Sequence, residues 1–347
     1  MKIRKKINDS KYTQVGVDIG NFSIKVATIK KQALSRKKTF SFGIEHIPPD
    51  ATFEQKAELI KKALKDADIT TQRVNISVSG PNVMCRYIHL PVMHRYELAK
   101  ALELEWDNYI SLKMDEVIWD YMLLDTSKDI AGHKQMRVLL VAAKKNFIDE
   151  RLRLFKASGL EVQFIDVDSL ALINAFNSIQ TPDKKQPIML LNIGEYFTNL
   201  VVLRKGKCWF SRDLPLGGHD ITQALVDKFH LNWLEAESLK CNLDNQKADA
   251  LTILRTVLDN LMNELNLSLD YLKRELEEQV EYIYISGGSA HLFQLEEFLS
   301  KNLNIPVKKW NPAWALQLSP GLSQEKLVSY APNLAVAIGL ALAKKVI

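Results

Sequence analysis

The stretch 15-VGVDIGNFSIKVATIK-30 places a carboxylate, Asp18, inside an apolar strand just ahead of a glycine. A buried, unpaired carboxylate costs several kcal/mol or shifts its pKa, so Asp18 requires a proton donor, a cation or the solvated charge of a ligand. A second stretch, 189-MLLNIGEYFTNLVVLR-204, repeats the first: Asp18 aligns with Asn192, Gly20 with Gly194, Phe22 with Tyr196 and Lys25 with Asn199. The apolar Val15, Val17, Ile19 and Val26 meet apolar Met189, Leu191, Ile193 and Leu200, and only Ile24 meets a polar residue, Thr198. The offset between Asp18 and Asn192 is 174 residues in a chain of 347, so the sequence reads as two related halves. Each half opens with a strand, a Gly-centred turn and a second strand.

A length of 347 residues, 47% apolar and 25% charged, is ordinary globular composition with room for about two domains. The net charge of +5 is uneven: residues 1 to 38 hold eleven Lys/Arg against two acids, leaving thirty-five against thirty-nine elsewhere. The opening KIRKK run reads as a solvated tail, and no nucleic-acid partner is expected. The longest uncharged carboxy-terminal stretch, Leu327 to Ala343, is seventeen residues and contains Pro332, Asn333 and Gly339, too short and too interrupted to span a membrane. No apolar core follows the basic start, so a secretory signal is not expected. The three cysteines, Cys85, Cys208 and Cys241, are far apart and odd in number, as expected of reduced thiols. Seven histidines without HxxxH or CxxC spacing argue against a metal site built from side chains alone.

Phe53 to Ala67 has helical periodicity, with Ala57, Ile60 and Leu64 on one stripe. From RVNISVSG onward the order is strand, strand (VMCRYIHLP), helix from His94 to about Ile110, strand (EVIWDYMLL), polar turn (DTSKDIAGHK), strand (MRVLLVAA) and helix (NFIDERLRLFKASG). This ββαββα block at 74–159 is large enough for a core of its own and reads as an insertion in the first half. LEVQFIDVDSLALINAF gives a strand and a helix, and the connector TPDKKQP precedes the second hairpin. Beyond RDLPLGGHD, one helix carries Ile221, Leu225 and Phe229, and Asn232 and Glu235 have capping-box spacing for the next. Asp249 to about Gln279 repeats leucine at three and four residues from Leu254 to Leu276; packing on its own sheet is preferred over a coiled coil. YIYIS, Gly287-Gly288-Ser289 and a helix follow, and APNLAVAIGLALA closes the chain as a small-residue helix.

Glycine turns after strands let backbone amides approach an anion closely, and this chain offers Gly20-Asn21, Gly194-Glu195, Gly217-Gly218 and Gly287-Gly288. Phosphate binding is the leading reading. Neither GxxxxGK[ST] nor GxGxxG occurs, and the first turn leads into a strand, which argues against P-loop and Rossmann sites.

The sequence resembles the actin, Hsp70 and sugar-kinase superfamily, and within it the PilM family of type IV pilus assembly proteins. The resemblance covers nearly the whole chain and rests on GVDIGNFSIKVATI, ISVSGPNVMCRYIHLPVMHRYELAKALELEWDNYI, LLVAAKKNFIDERLRLFKASGLEVQFIDVDSLAL, FSRDLPLGGHDITQAL, EAESLK, YISGGSAHLFQLEEFLSKNLNIPVKKWNP and AVAIGLALA. It implies an actin-like α/β fold of two halves (Hsp70/ribonuclease-H-like) with the inserted ββαββα subdomain. The implied division is a basic tail (1–13), first-half core (14–73, returning at 160–186), inserted peptide-binding subdomain (74–159), second-half core (187–216 and 280–320), helical subdomain (217–279) and a carboxy-terminal segment returning to the first half (321–347).

The resemblance further implies ATP with Mg²⁺ as cofactors. Asp18 would act on magnesium through its waters, which suits an ion that takes few carboxylates. Gly20, Asn21, Phe22 and Ser23 would cradle phosphates, with Asn192 and Gly194 in the matching hairpin. Gly217 and Gly218 would form the second-half phosphate turn, and Gly287, Gly288 and Ser289 the turn beside the adenosine. Lys25 is either near phosphate or a solvated strand lysine; Glu237 and Lys240 either reach ribose or adenine or form a surface i,i+3 ion pair. Where hydrolytic relatives carry Asp, Asn192 keeps hydrogen-bonding capacity without the charge, and Glu195 follows in place of a small residue, so weak or negligible ATPase activity is expected. The implied function is a cytoplasmic ATP-binding scaffold at the inner face of the inner membrane, reached through the cytoplasmic tail of a PilN-like membrane protein and open to self-association. IHLPVMHRYEL either lines the tail's groove or fills the subdomain core. The alternatives are an actin-like filament former, a type II secretion scaffold and a small-metabolite kinase.

Overall fold

Two antiparallel hairpins nucleate two sheets. β1 (Gln14–Ile19) turns at Gly20 into β2 (Ser23–Lys31), and β3 (Lys38–His46) extends the hairpin. α1 (Phe53–Asp66) opens with a capping box in which Thr52 and Gln55 satisfy one another's amides. β4 (Arg73–Val78) then lies parallel beside β1. The inserted segment follows as β5 (Val83–Pro91), α2 (Arg95–Leu104), α3 (Trp106–Tyr109), β6 (Val117–Lys128), β7 (Lys134–Lys144) and α4 (Lys145–Ala157). β8 (Glu161–Val167) returns parallel to β4, and α5 (Asp168–Ile179) leaves the first half.

The second half repeats the plan with β9 (Ile188–Ile193), β10 (Thr198–Arg204), β11 (Lys207–Leu214), α6 (Gly218–Phe229), α7 (Trp233–Cys241), α8 (Ala248–Leu276), β12 (Tyr282–Ser286), α9 (Leu295–Leu303) and β13 (Val307–Lys309). β14 (Gln317–Leu318) crosses back to pair with β3, and α10 (Gln324–Tyr330) and α11 (Ala335–Leu342) close the chain. The computed structural model describes residues 14–31, 38–128, 134–179, 186–276 and 278–343. The basic tail, positions 129–133 of the polar turn, 181–185 of the connector and 344–347 of the closing segment lie outside them.

The internal repeat is visible in strand order. The large sheets run β14-β3-β2-β1-β4-β8 and β11-β10-β9-β12-β13, in each case an antiparallel meander followed by two parallel strands. Register makes the match residue by residue, since Asp18 stands opposite Lys25 in one hairpin and Asn192 opposite Asn199 in the other. Three features differ from the sequence reading. β4 belongs to the large sheet, because both its faces are covered, Val74 and Ile76 packing with α1 while Asn75 donates to the Leu340 carbonyl of α11 at 3.0 Å, so the small sheet has three strands in the order β5-β7-β6. The expected helix from His94 breaks at Glu105, and Trp106 turns inward to donate its indole N–H to the Leu112 carbonyl at 2.7 Å. KTFSFGIEH and KCWFSRDL, given no element by periodicity, are the third strands of the two meanders.

Five layers result. α1 and α4 cover one face of the first sheet, and α6, α7, α8 and α9 cover the far face of the second. Leu254, Leu258, Leu261, Leu265 and Leu272 of α8 are buried in that outer layer, so the leucine stripe packs on its own sheet. Between the sheets lie α5 and α11, whose residues share one cluster with Phe40 and Phe42 of the first sheet and Leu190 and Val201 of the second. The run AVAIGLAL is buried on nearly every side, and its small residues permit very close approach. A Cβ on Gly339 would overlap the Ala171 carbonyl of α5, and one on Gly16 of β1 would overlap the Ala337 carbonyl of α11. The inserted sheet rests on β11: Tyr87 hydroxyl shares a hydrogen bond with Ser211 Oγ at 2.6 Å, and Arg137 donates to the Trp209 carbonyl while stacking on that indole at 3.8 Å.

Because backbone lies on the far side of the Gly339 contact, the site cannot absorb a methyl by rotamer change. Gly339→Ala is expected to lower stability by about 3 kcal/mol, read by urea denaturation, whereas Gly159→Ala, with nothing near its Cβ but a φ of +76°, is expected to cost less.

Candidate functional site between two repeated turns

In the first turn, the Gly20 amide donates to the Ser23 carbonyl at 3.0 Å, and the Phe22 carbonyl accepts from the Ile47 amide at 2.8 Å. The amides of Asn21 and Phe22 are left without a protein acceptor among the described residues. Asp18 finds its partner across the hairpin: Lys25 Nζ lies 3.1 Å from its Oδ2, with both side chains 13% exposed. A Cβ on Gly20 would come within 2.9 Å of Lys25 Nζ, so the lysine lies over the turn and not in open solvent.

The second turn copies this geometry. Gly194 amide donates to the Phe197 carbonyl at 2.9 Å, again leaving two intervening amides, of Glu195 and Tyr196, without a protein acceptor among the described residues. Where the first hairpin has an ion pair, this one has amides: Asn192 Nδ2 donates to Asn199 Oδ1 at 2.9 Å, and Asn192 Oδ1 accepts from Ser286 Oγ at 3.2 Å. Asn199 Nδ2 donates in turn to Asp213 Oδ1 at 2.7 Å.

Gly217 and Gly218 meet the second turn directly. Gly218 amide donates to the Gly194 carbonyl at 2.9 Å, His219 amide to the Glu195 carbonyl at 2.8 Å, and Gly217 amide to Asp220 Oδ2 at 2.8 Å. These amides brace the turn. Lys240 is buried beneath them and spends its three protons on Glu237 Oε2 at 2.7 Å, Thr222 Oγ1 at 2.8 Å and the Gly218 carbonyl at 3.1 Å. The pair Glu237 and Lys240 is therefore a buried strut, not a surface ion pair. Gly287 has a φ of +91° and packs under Ile193, Ser289 Oγ donates to the Gly194 carbonyl at 3.1 Å, and a Cβ on Gly288 would meet only Asn333 Nδ2, at 3.7 Å.

A row of carboxylates lies at the base of the cleft. Ser79 Oγ donates to Asp168 Oδ2 at 2.6 Å at the start of α5, and the Gly80 amide donates to Asp213 Oδ2 at 2.8 Å from the other half. Gly80 also abuts the Phe197 ring, so the two halves touch here. These residues line a cavity of about 380 Å³ with Val83, Phe197 and Ser211. Burial pushes the Asp168 carboxyl up to about 6, with Asp18 adding to the rise, and burial does the same to Asp166.

Two facing turns with unspent amides and a lysine over one of them suit a polyphosphate. Asp18 can serve a hydrated magnesium, an ion that keeps several waters. Among the described residues no group of three His, Cys, Asp or Glu is gathered to hold an ion unaided.

The sequence profile described as type IV pilus assembly protein PilM matches residues 16–345. The chain belongs to the PilM family. A solved PilM-PilN type IV pilus biogenesis complex is similar at TM-score 0.85 and 26% identity, over 96% of this chain and 98% of that one. The ethanolamine utilization protein EutJ of Carboxydothermus hydrogenoformans shares the fold at TM-score 0.54 and 14% identity, over 95% of this chain and 89% of that one. Cell division protein FtsA is a more distant relative. The Bacillus subtilis protein is 25% identical over 37% of this chain and only 28% of its own length, and that of Staphylococcus epidermidis 20% identical over 86% and 74%. The fold of this PilM-family chain is the actin-like one, and no helix among the described residues is long and apolar enough to cross a membrane.

The sequence reading placed Asp18, Gly20 to Ser23, Lys25, Asn192, Gly194, Gly217, Gly218, Glu237, Lys240 and Gly287 to Ser289 in or around these turns, and missed Ser79, Asp166, Asp168 and Asp213. The signal available for the aspartates was FIDVDS, two acids alternating out of an apolar strand at a helix start. In the folded protein Asp166 and Asp168 hold protons between pH 3.8 and about 6, where the unfolded chain has released them. Stability therefore falls as pH rises through that window and levels off above it. Asp168→Asn is expected to be about 2 kcal/mol more stable than the parent at pH 7.5 and nearly equal to it at pH 4, by urea denaturation at both pH values.

Proposed function

We propose that this protein is a nucleotide-responsive scaffold of the type IV pilus machinery at the cytoplasmic face of the inner membrane, with ATP or ADP and Mg²⁺ in the cleft and a PilN-like tail on the inserted subdomain. The observation that carries the reading is the duplicated turn, whose four unspent amides belong to Asn21, Phe22, Glu195 and Tyr196. Bound nucleotide with magnesium would supply the charge that orders the two halves about the cleft. Asn21 and Phe22 would bind phosphate by their amides, Lys25 would leave Asp18 for phosphate, and Asp18 would then hold the ion's waters. Asn192 is neutral and both ends of its amide are engaged, so it neither orders a metal nor accepts a proton, and slow or negligible turnover follows.

For the partner, the similarity to a PilM-PilN complex supports a PilN-like tail. Of IHLPVMHRYEL, Ile88, Leu90 and Leu98 are core, while Val92 and Tyr96 are exposed at 48% and 71% and remain available to a peptide. β5 and β6 are both edge strands of their sheet, which suits addition of an extended tail.

Titration calorimetry is expected to show adenine nucleotide binding that Asp18→Ala weakens about tenfold or more, with phosphate release below about 1 per second; absence of nucleotide uptake would overturn the reading. A fluorescent amino-terminal peptide of the PilN-like partner is expected to bind by anisotropy, and Val92→Asp with Tyr96→Ala to weaken it about tenfold while leaving nucleotide affinity unchanged.

A further inference from the structure

Glu195 occupies in the second turn the place that neutral Asn21 holds in the first. Its backbone is fixed: the carbonyl accepts from His219 amide at 2.8 Å, and Gly217 packs so closely that a Cβ there would overlap it. The carboxylate consequently cannot leave by swinging the turn away. Oε2 is buried and has no hydrogen-bond partner among the described residues. Two lysines act on this carboxylate, one from each half, and both are already committed: Lys25 to Asp18, and Lys240 to Glu237, Thr222 and the Gly218 carbonyl. A second acid, Glu237, faces it as well. Burial holds the carboxyl above the ordinary glutamate range, with Lys240 and Lys25 pulling it back. The second turn thus offers an anion two backbone donors and, beside them, a carboxylate whose charge nothing nearby fully cancels.

We propose that Glu195 is a charge filter on the second turn, so that this cleft holds a nucleoside diphosphate more tightly than the corresponding triphosphate. The inference rests on the reading of the cleft as a nucleotide site. Each phosphate added to the ligand brings negative charge, and a like charge a few ångströms away in a partly dry cleft is repelled far more strongly than in water. Glutamine at this position keeps the size and the hydrogen-bonding capacity of the side chain and removes only the charge.

The test is calorimetric titration of the full chain with MgADP and with MgATP, for the parent and for Glu195→Gln. The parent is expected to favour MgADP by about tenfold, and the variant to bring the two affinities within about threefold by tightening MgATP. A structural role alone would shift both affinities together. Equal affinities in the parent, or a folded Glu195→Gln protein with an unchanged ratio, would overturn the filter while leaving the nucleotide site intact. Failure of the parent to bind either nucleotide would overturn the site reading and the filter with it. Because the parental ratio is itself diagnostic, the test survives a variant that does not fold.

Discussion

The close approach of α11 to α5 and β1 is the constraint on which the rest of the molecule depends. Two sheets, each carrying one glycine turn at the end of its first strand, face one another only because two slender helices fill the space between them. Helices normally pack at 8–10 Å, a spacing set by side chains. Gly339 against Ala171 and Gly16 against Ala337 remove those side chains, and the run AVAIGLAL supplies small apolar residues on its other sides. Widening this seam by a methyl group moves one half against the other, and the two turns with it.

The electrostatics of the cleft follow from that enforced proximity. Acids from both halves are gathered here, Asp18 and Asp213 around Asp168 and Glu195 within reach of Lys25, and the protein answers each differently. Asp18 takes Lys25, Asp213 takes a backbone amide and Asn199, and Asp168 takes a hydroxyl and part of a proton. Glu195 has the least support of the four. A ligand that brings both anionic oxygens and a cation would suit the Asp18 side of this surface, its cation facing Asp18 and its anion the turn amides and Lys25.

Much of this was legible in the sequence because the repeat is physical. A strand buried on both faces must be nearly all apolar, so MLLNI and TNLVVL announce themselves, and their polar residues, Asn192 in the first and Thr198 and Asn199 in the second, stand at the ends next to the glycine turn. The α8 stripe and the Asn232 capping box were readable for the same reason, since each rule involves residues within one turn of helix. What was not legible depended on distance. KTFSFGIEH and KCWFSRDL mix charged and apolar residues because they lie toward sheet edges, and their pairing partners are set by tertiary context. The membership of β4 in the large sheet and the gathering of Ser79, Asp168 and Asp213 are contacts across tens to hundreds of residues, which periodicity does not report. Lys240 shows the same limit from the other side: spacing suggested a surface pair, and only the packing of α7 under the first turn of α6 made it a buried strut.

The neutral side chains of the second hairpin have a consequence beyond the loss of a charge. Ser286, Asn192, Asn199, Asp213 and the amide of Gly80 form an unbroken hydrogen-bonded series that runs from β12 across β9, β10 and β11 into the turn that opens the inserted segment. An aspartate at position 192 would have turned its charge toward a cation and offered no donor to Asn199. The amide instead ties the strand carrying the second turn to the segment entering β5. The far end of β11 is tied to the same sheet by Tyr87 with Ser211 and by Arg137 with Trp209. The inserted sheet is thus fastened at both ends of one strand to the half of the molecule that carries Glu195, although in sequence it belongs to the other. Relative movement of the two halves must break these fastenings, each worth about 1 kcal/mol, or shift the inserted sheet. The amide at Asn192 therefore links β12 to β10 through one side chain that donates and accepts at once, which a carboxylate does not do.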